Sequence, residues 1–364
     1  MLAVTHSCAL SGVDGFSVRV EVNLSGGMPM FEVVGLPDAT VRESRERVRA
    51  ALKNSGFLFP DDRLTVNLAP ADLKKEGPFF DLPIAVGIIA AQGKIPLGSL
   101  QDCAMIGELS LDGSLRPVRG VLPMAIALRS IGVPALIIPK DNVAEVQCIS
   151  GIRILPASHL RQVAGHLAGD APLEPILPVS YDQLIGSRVP AVDFSFVVGQ
   201  KAAKRALEIA ASGGHNVLMM GAPGSGKTLL ARCLPTILPD MTFEEALEVT
   251  RIHSCAGIVP ETGLLVERPF RAPHHTASAV AMTGGGATAL PGEISKAHHG
   301  VLFLDELPEF RRDVLEALRQ PMEDGVVTVT RVGAQSTYPT QFILICAMNV
   351  VRSIFIQSAP VIAA

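Results

Sequence analysis

The first half of the chain alternates between the hydrophobic patterns of strands and helices. Apolar and charged residues alternate over 17–22, as in a half-buried strand, and apolar runs at 31–35 and 64–68 predict two more strands. Between these runs, an apolar stripe at helical spacing predicts a helix that Asp38 caps and that ends near Ser55. We predict that these elements belong to one folded unit.

This first unit continues with a hairpin and ends at a linker. Residues 105–115 predict a hairpin that turns at Asp112–Gly113. A proline-rich stretch near 172–178 indicates a semi-rigid connection. We therefore predict a first domain over 1–165 and a linker over 166–192.

The second unit, from about Asp193, shows the patterns of a helix and of buried strands. A helical pattern covers 201–211, and continuous apolar runs cover 216–220, 301–304 and 342–348. The chain contains no Trp and is rich in small and aliphatic residues, which favours an α/β fold over an all-β one.

A glycine-rich loop follows the predicted strand at 216–220 and fits the phosphate-loop pattern G-x-x-x-x-G-K-[ST]. Its glycines let several backbone N–H groups point at one phosphate, and the next helix adds the positive end of its dipole. Lys227 is expected to reach the β- and γ-phosphates of ATP, and the Thr228 hydroxyl to bind Mg²⁺. The predicted ATP-binding residues of the loop are Gly221, Ala222, Pro223, Gly224, Ser225, Gly226, Lys227 and Thr228.

Two further strand ends carry the polar residues that ATP hydrolysis needs. The apolar run at 301–304 is followed by Asp305, predicted to order the Mg²⁺, and by Glu306, predicted to be the general base toward the attacking water. Asn349 follows the run at 342–348 and is predicted to orient that water. Each signal alone is also typical of an ordinary strand end or turn, and the phosphate loop is what favours the functional interpretation.

Composition and charge restrict the class of protein. The chain has 364 residues and a net charge of −4, so no overall basic character indicates nucleic acid, although a local basic stripe remains compatible with it. Its six cysteines form no CxxC pair, which is typical of a reduced cytosolic chain. The sequence shows neither a signal-peptide pattern nor an apolar run of membrane-spanning length. We therefore predict a soluble cytoplasmic protein with no membrane partner.

Two histidine pairs, His274–His275 and His298–His299, raise the question of a metal site. No cysteine or acidic residue lies at helical spacing from them, and adjacent side chains point apart. We interpret both pairs as polar loop contacts or inter-subunit contacts, not as zinc ligands. Four arginines are candidates for contacts with DNA or a neighbouring subunit's phosphate, with surface solvation the better interpretation for each alone: Arg268, Arg271, Arg311 and Arg312.

Taken in order, the motifs resemble an AAA+ ATPase. The resemblance rests on residues 197–200, the phosphate loop, residues 301–306 and Asn349. The segments at 271–276, 284–286 and 291–294 narrow the resemblance to the magnesium-chelatase-like branch and, within it, to the YifB/ComM family. The resemblance covers 1–349, and it implies that Val198 and Gly199 also contact ATP.

The segments at 35–38, 67–72 and 75–77 resemble the Lon-protease-like domain of that family. The implied fold is an N-terminal Lon-protease-like α+β domain followed by a P-loop AAA+ α/β domain over 193–364. The resemblance also implies a hexameric ring that uses ATP and Mg²⁺ and acts on DNA, as a helicase or branch-migration motor in natural transformation and recombination. The strand pattern at 326–332 resembles a hairpin that faces the ring pore.

Two features depart from the family pattern. Lon-type proteases use a Ser–Lys pair, but Phe79 and Leu122 stand at the corresponding positions, so we predict no peptidase activity. After Asn349 the apolar segment 350–364 replaces the arginine finger and helical lid of the family, so we expect a truncated core without its lid. An arginine finger contributes about 10³–10⁵ in rate, and the expected turnover is correspondingly low.

Three functions stay open at this point. The first is an ATP-hydrolysing motor of the YifB/ComM type. The second is a non-catalytic nucleotide-binding module, the product of a truncated or degraded gene. The third is an ATP-dependent protease or chaperone subunit, which Phe79 and Leu122 disfavour.

Overall fold

Two β-sheets of different topology organise the chain. The computed structural model describes residues 1–186, 192–260, 262–286, 289–331, 334–349 and 361–363. Contacts between residues divide the chain into two compact units, Met1–Ser180 with Gly257–Leu264 and Tyr181–Ala256 with Leu265–Ala364.

The first unit folds around a mixed seven-stranded sheet. The strands of this unit, in the sheet and outside it, are β1 (Leu2–Ser11), β2 (Asp14–Ser25), β3 (Met30–Val34), β4 (Arg63–Ala69), β5 (Cys103–Met105), β6 (Glu108–Leu109), β7 (Leu115–Arg116), β8 (Ala135–Pro139) and β9 (Arg153–Ala157). The sheet order is β3–β4–β2–β1–β5–β8–β9, and β6 pairs with β7 separately. β2 pairs antiparallel with both β1 and β4, and the remaining neighbours are parallel.

The helices of this unit are α1 (Ala39–Asn54), α2 (Asp81–Ala91), α3 (Val121–Ser130), α4 (Val143–Val146) and α5 (Leu160–Ala168). α1 is amphipathic, and Asp38 caps it as predicted, by accepting a hydrogen bond from the N–H of Val41 at 2.8 Å. After its first residue, Asp81, α2 is apolar all round, and it is buried along its whole length, as expected of a helix enclosed in a core.

The N-terminal strand β1 is central in the sheet but is not evident from the hydrophobic pattern. The reason is that Thr5 and Ser7 are polar and yet fully buried. The Thr5 hydroxyl donates to the Pro83 carbonyl oxygen at 3.1 Å, so a tertiary contact satisfies a group that the pattern marks as exposed. The predicted strand at 17–22 is confirmed and lies within β2.

The second unit is built on a five-stranded sheet. The strands of this unit, in the sheet and outside it, are β10 (Val217–Gly221), β11 (Phe270–Arg271), β12 (Gly284–Gly285), β13 (Leu290–Pro291), β14 (Val301–Leu304), β15 (Val326–Arg331), β16 (Ala334–Pro339), β17 (Ile343–Asn349) and β18 (Val361–Ala363). Its helices are α6 (Tyr181–Gly186), α7 (Lys201–Gly213), α8 (Lys227–Cys233), α9 (Phe243–Ala256), α10 (Ala279–Thr283), α11 (Glu293–Lys296) and α12 (Arg312–Asp324).

The order of this sheet brings three strand ends together. It runs β11–β14–β17–β10–β18, with the first four strands parallel and β18 antiparallel to β10. The register pairs Gly221 with Asn349 and Leu304 with Cys346. The carboxyl ends of β10, β14 and β17 therefore meet at one edge of the sheet, where ligands bind in open parallel sheets.

Both faces of this sheet are covered, which explains the continuous apolar runs. Phe303 packs in one cluster with Leu207 of α7 and Leu230 of α8. Its neighbour Leu304 packs on the opposite face in a second cluster with Leu318 of α12. Successive residues of a strand point to opposite faces, so a strand covered twice carries no polar alternation.

Three predicted segments have mixed outcomes. The predicted hairpin strand at 326–332 is confirmed as β15, which pairs antiparallel with β16, except that residue 332 lies outside the described residues. The stretch 166–192 contains the end of α5 and the whole of α6, and the predicted domain borders stay a prediction. The predicted tail at 350–364 lies outside the described residues apart from β18. No helix of the described segments is both long enough and apolar enough to cross a membrane.

A buried ion pair joins α1 to α2. Arg47 donates from Nε and Nη2 to the two carboxylate oxygens of Asp81, at 2.6 and 3.0 Å. Burial raises the pKa of Asp81 to about 6, although the hydrogen bonds from Arg47 act to lower it. The Asp81 side chain is fully buried, so water cannot replace the guanidinium.

We expect Arg47→Ala to lower the free energy of unfolding by about 3–5 kcal/mol near pH 8, because it leaves a buried carboxylate without its cation. A carboxyl whose folded-state pKa is raised contributes stability at low pH that is lost as the pH rises, so the deficit should be smaller near pH 5. Urea unfolding at the two pH values measures both effects.

The matched control is Arg45→Ala, since Arg45 is exposed and pairs only with the exposed Glu46 among its described ion pairs. We expect this control to change stability by at most about 1 kcal/mol. An Arg47→Ala deficit that is equal at both pH values would contradict the assigned role of the pair.

Candidate nucleotide-binding site

The phosphate-loop sequence lies between a strand and a helix, as its pattern requires. β10 ends at Gly221, and α8 begins at Lys227. Gly224 and Gly226 have φ angles of +78° and +86°, in the left-handed region that favours glycine. These two residues allow the loop to curve from the strand end into the first turn of α8.

The Lys227 ammonium group is enclosed by its own loop. It donates to the carbonyl oxygens of Gly221 and Ala222 at 3.0 Å each, and it lies 3.5 Å from the Ser225 hydroxyl. Its fourth partner is the Asn349 side-chain oxygen at 3.0 Å. The register that pairs Gly221 with Asn349 therefore brings a predicted loop residue into contact with a residue 122 positions away.

A second contact joins the loop to the end of β14. The Thr228 hydroxyl donates to Asp305 Oδ2 at 2.9 Å, and the other oxygen of Asp305 accepts from the N–H of Glu306 at 3.0 Å. A hydroxyl and a carboxylate are hard oxygen donors, the type that Mg²⁺ prefers. The donor set at this edge thus fits the ion that the sequence predicts, and Thr228 and Asp305 are the residues that would hold it.

Glu306 lies beside a residue that was not among the predicted site residues. Its backbone is left-handed, with φ of +54°, and its side chain is 51% exposed. Oε2 of Glu306 lies 3.4 Å from Nδ1 of His275, in the loop after β11. The available signal was the His274–His275 pair, whose partner in the fold the spacing could not reveal.

The segment that includes Val198 and Gly199 contacts the phosphate loop through Gln200, the residue that follows them. Gln200 has a left-handed backbone, and its side-chain amide donates to the Ser225 carbonyl oxygen at 3.4 Å. Val198 is 92% exposed, so its side chain is free to meet a ligand. The structure thus brings the segment to the loop, and contact of Val198 and Gly199 with ATP stays a prediction.

The second histidine pair forms a hydrogen-bonded cluster with an acidic residue of α9. His298 and His299 each place Nε2 at 3.2 Å from Oε2 of Glu248. Nδ1 of His298 accepts from the backbone N–H of Gln341 at 3.1 Å, so the ring proton of neutral His298 is on Nε2 and is donated to Glu248. A metal ion at that nitrogen would have to displace this proton. The three residues nevertheless place one possible ligand atom each within 4.8 Å of one another, so the interpretation as polar contacts and not as zinc ligands stays a prediction.

Among the ion pairs of the described residues are three that involve the candidate arginines. Arg268 contacts Glu245 at 3.2 Å, Arg271 contacts Glu293 at 2.6 Å, and Arg311 contacts Asp313 at 2.7 Å. These pairs give the arginines roles within the unit itself. Contact of any of the four with DNA or a neighbouring subunit stays a prediction.

In the first unit, the two residues predicted to stand at the Lon-type Ser and Lys positions belong to the core. Phe79 is 7% exposed and packs against the ring of Phe80, and Leu122 is fully buried in α3. Neither side chain offers a nucleophile or a proton acceptor.

Comparison with known proteins agrees with both units. The family model described as "Magnesium chelatase, subunit ChlI" matches 193–360, and "Subunit ChlI of Mg-chelatase" matches 20–142. The chain is 47% identical over 348 residues to the YifB protein of Escherichia coli, covering 96% of this chain and 68% of that protein. It is 46% identical over 349 residues to the competence protein ComM of Haemophilus influenzae, with the same two shares. The chain belongs to the YifB/ComM family.

Membership in this family of magnesium-chelatase-like AAA+ ATPases implies nucleotide and magnesium use and oligomeric assembly in general terms. The chain is also 29% identical to Lon protease 2 of Bacillus subtilis over 160 residues, which are 42% of this chain and 28% of that protein. The predicted fold is thereby confirmed: a Lon-protease-like α+β unit precedes a P-loop AAA+ α/β unit.

The buried imidazole of His298 predicts an acid-sensitive stability. Burial, with a smaller effect of His299, lowers the pKa of His298 to about 4. The unfolded chain therefore binds the proton first, so this contribution to stability is present above about pH 6.5 and is lost as the pH falls toward 4. We expect His298→Gln to remove on the order of 3 kcal/mol of this pH dependence.

Urea unfolding between these pH limits measures the effect, with His274→Gln as the control because His274 is exposed. If His298→Gln loses stability toward acid as steeply as the wild type does, the assignment is wrong.

Proposed function

We propose that this chain binds ATP with Mg²⁺ and hydrolyses it. The observation that carries the proposal is the convergence of Lys227, Thr228, Asp305 and Asn349 at the carboxyl edge of one parallel sheet, with direct contacts between loop and strand ends. Lys227 and Thr228 follow the loop at the start of α8, and they contact residues at the ends of two strands, Asn349 of β17 and Asp305 after β14. An isolated glycine-rich turn would have no need of these contacts.

In this proposal, each residue has a chemical role. The backbone N–H groups of the loop bind the β-phosphate, and Lys227 binds the β- and γ-phosphates. Thr228 and Asp305 hold Mg²⁺, which when bound neutralises charge on the phosphates. Asn349 orients the attacking water, and Glu306 accepts its proton.

The contacts of Lys227 support an exchange of partners on nucleotide binding. Its ammonium group is now held by neutral acceptors, the carbonyls of Gly221 and Ala222 and the amide of Asn349. A phosphate oxygen carries a negative charge, so it attracts the ammonium group more strongly than the neutral amide oxygen of Asn349 does. ATP would therefore draw Lys227 from Asn349, which frees the amide to orient water.

The biological setting that we propose is DNA processing by a cytoplasmic, hexameric ring. Two findings support it: the name of the Haemophilus influenzae relative, competence protein ComM, and the hairpin β15–β16, which follows α12 in the ATPase unit. A hairpin on a ring-forming ATPase provides an element that could act on a threaded strand. The proposal does not extend to peptide hydrolysis, given the burial of Phe79 and Leu122.

We expect the purified chain to bind and hydrolyse ATP. Lys227→Ala should lower the affinity for ATP and the rate of hydrolysis by about 100-fold or more, because it removes the charged group that contacts the phosphates. Binding of a fluorescent ATP analogue and release of phosphate are the two measurements. EDTA should abolish hydrolysis. Lys201→Ala, which removes an exposed lysine at the start of α7, should change neither.

The outcomes separate the alternatives. Binding without turnover favours the non-catalytic nucleotide module. Unchanged binding in Lys227→Ala would show that the loop is not a phosphate site.

The DNA setting has its own test. We expect branched DNA to raise the rate of ATP hydrolysis several-fold relative to a random-sequence duplex, and the stimulation to weaken as salt increases, because phosphate contacts release counterions. Equal rates with branched DNA, duplex DNA and no DNA would refute the proposed motor role while leaving ATP hydrolysis intact.

A further inference from the structure

A cavity of about 400 Å³ lies in the second unit, away from the candidate ATP site. It lies between the segment that joins α8 to α9 and the residues around β11, and no described lining residue belongs to the phosphate loop. Phe270, the first residue of β11, pairs with Val301, the first residue of β14. The cavity therefore lies beside the amino edge of the sheet, whereas ATP is expected at the carboxyl edge. Its volume is within the range of small-molecule sites, about 300–1,000 Å³.

The wall of the cavity is largely hydrophobic. Its apolar lining residues include Leu238, Met241, Leu265, Val266 and Pro269. Met241 and Pro269 are buried, and the other three keep part of their apolar surface exposed. A ligand with an apolar body would remove that surface from water, which favours binding.

The cation that distinguishes this cavity is Arg232, in the last turn of α8. Its guanidinium lies 5.7 Å from the centroid of the Phe270 ring, which stacks on Phe303 at 5.9 Å. This cation–π contact restrains the guanidinium but uses none of its N–H donors. Arg232 forms no hydrogen bond or ion pair with another described residue, so these donors are available to a ligand.

The other two arginines of the lining are already paired. Arg268 contacts Glu245 at 3.2 Å and Arg271 contacts Glu293 at 2.6 Å. Neither of these glutamates lines the cavity. The two pairs therefore serve the fold of the unit, and Arg232 is the arginine of the described lining that is left for a ligand.

Three acidic residues also line the cavity, and two of them are engaged. Asp193 Oδ1 accepts from the N–H of Ser195 at 2.8 Å, and Asp240 has a partner as well. Glu267 is exposed and forms no ion pair with another described residue. Its carboxylate repels an anion. Removal of that carboxylate should therefore not weaken the binding of one.

We infer that this cavity binds a small organic anion, with its carboxylate, sulfonate or phosphate group on Arg232 and its apolar body against the hydrophobic wall. The planar fork of a guanidinium matches the oxygens of such groups, and these charge-assisted hydrogen bonds are among the strong ones in proteins. The inference is independent of the proposed ATP hydrolysis, because the two sites share no described residue and lie at opposite edges of the sheet.

The test uses two fluorescent probes of similar shape and different charge. Anilinonaphthalene sulfonate is an anion that fluoresces when an apolar site takes it up, and phenylnaphthylamine lacks the sulfonate. We expect saturable binding of the sulfonate to the folded wild-type chain. Arg232→Gln should weaken this binding by about 10-fold or more, because it removes a hydrogen bond between charged groups. The affinity for the uncharged probe should change less than about twofold.

Two variants of the charged residues serve as controls. Arg205→Gln removes an exposed arginine of α7, which pairs with Glu208, and should leave the affinity for both probes unchanged. Glu267→Gln should leave the affinity for the sulfonate unchanged or raise it.

A third variant and a competition experiment locate the probe. Val266→Trp fills the cavity and should weaken the binding of both probes by about 10-fold or more, with urea unfolding as the check that the variant is folded. Arg232→Gln alters an exposed side chain, so the test stands even if Val266→Trp does not fold. ATP with Mg²⁺ should not displace the sulfonate.

Four results would overturn the inference. The first is equal affinity of the sulfonate for the wild type and Arg232→Gln, which would leave Arg232 the role of a cation at the carboxyl end of α8. The second is an equal loss of both probes in Arg232→Gln, which would indicate damage to the cavity wall. The third is undiminished binding to folded Val266→Trp. The fourth is displacement by ATP with Mg²⁺, which would place the probe at the nucleotide site.

Discussion

The parallel register of β10, β14 and β17 is the constraint on which the candidate site depends. It places Gly221 opposite Asn349 and brings the end of β14 to the same edge, so residues far apart in the chain become neighbours. Both faces of the sheet are buried, and this burial is what holds the register, since a shift by one residue would exchange the side chains of the two clusters. The chemistry at the edge therefore rests on apolar packing below it.

The contacts at this edge form a network of charge-assisted bonds. Lys227 is satisfied by carbonyl oxygens of its own loop and by Asn349, while Thr228 and Asp305 satisfy each other. These groups are the ones that phosphate and Mg²⁺ would engage, so the site is organised by the polar groups that a ligand would use. A buried ammonium needs acceptors, and here the protein supplies them from within the loop.

Local sequence patterns predicted the elements that form the site better than they predicted the contacts between those elements. The phosphate loop, the strand before it and the strand ending at Asp305 follow from local spacing, because a tight turn and a covered strand each need particular residues in sequence. The strand β1 is not evident, since Thr5 and Ser7 are polar but buried, and the Thr5 hydroxyl is satisfied by the distant carbonyl of Pro83. The histidine pairs show the same limit. Their partners, Glu248 for His298 and Glu306 for His275, lie on other elements of the fold.

Residue type and local spacing were enough to predict the phosphate loop, the acidic pair at the end of β14 and the family resemblance. The sequence also indicated that Phe79 and Leu122 cannot perform Lon-type catalysis, since no fold gives an alkyl or aryl group a nucleophilic atom. Three contacts became visible with the fold alone: Asn349 with Lys227, His298 with Glu248, and His275 with Glu306. Each of these contacts joins elements distant in the chain, and their distances are set by sheet order and register, which local patterns do not specify.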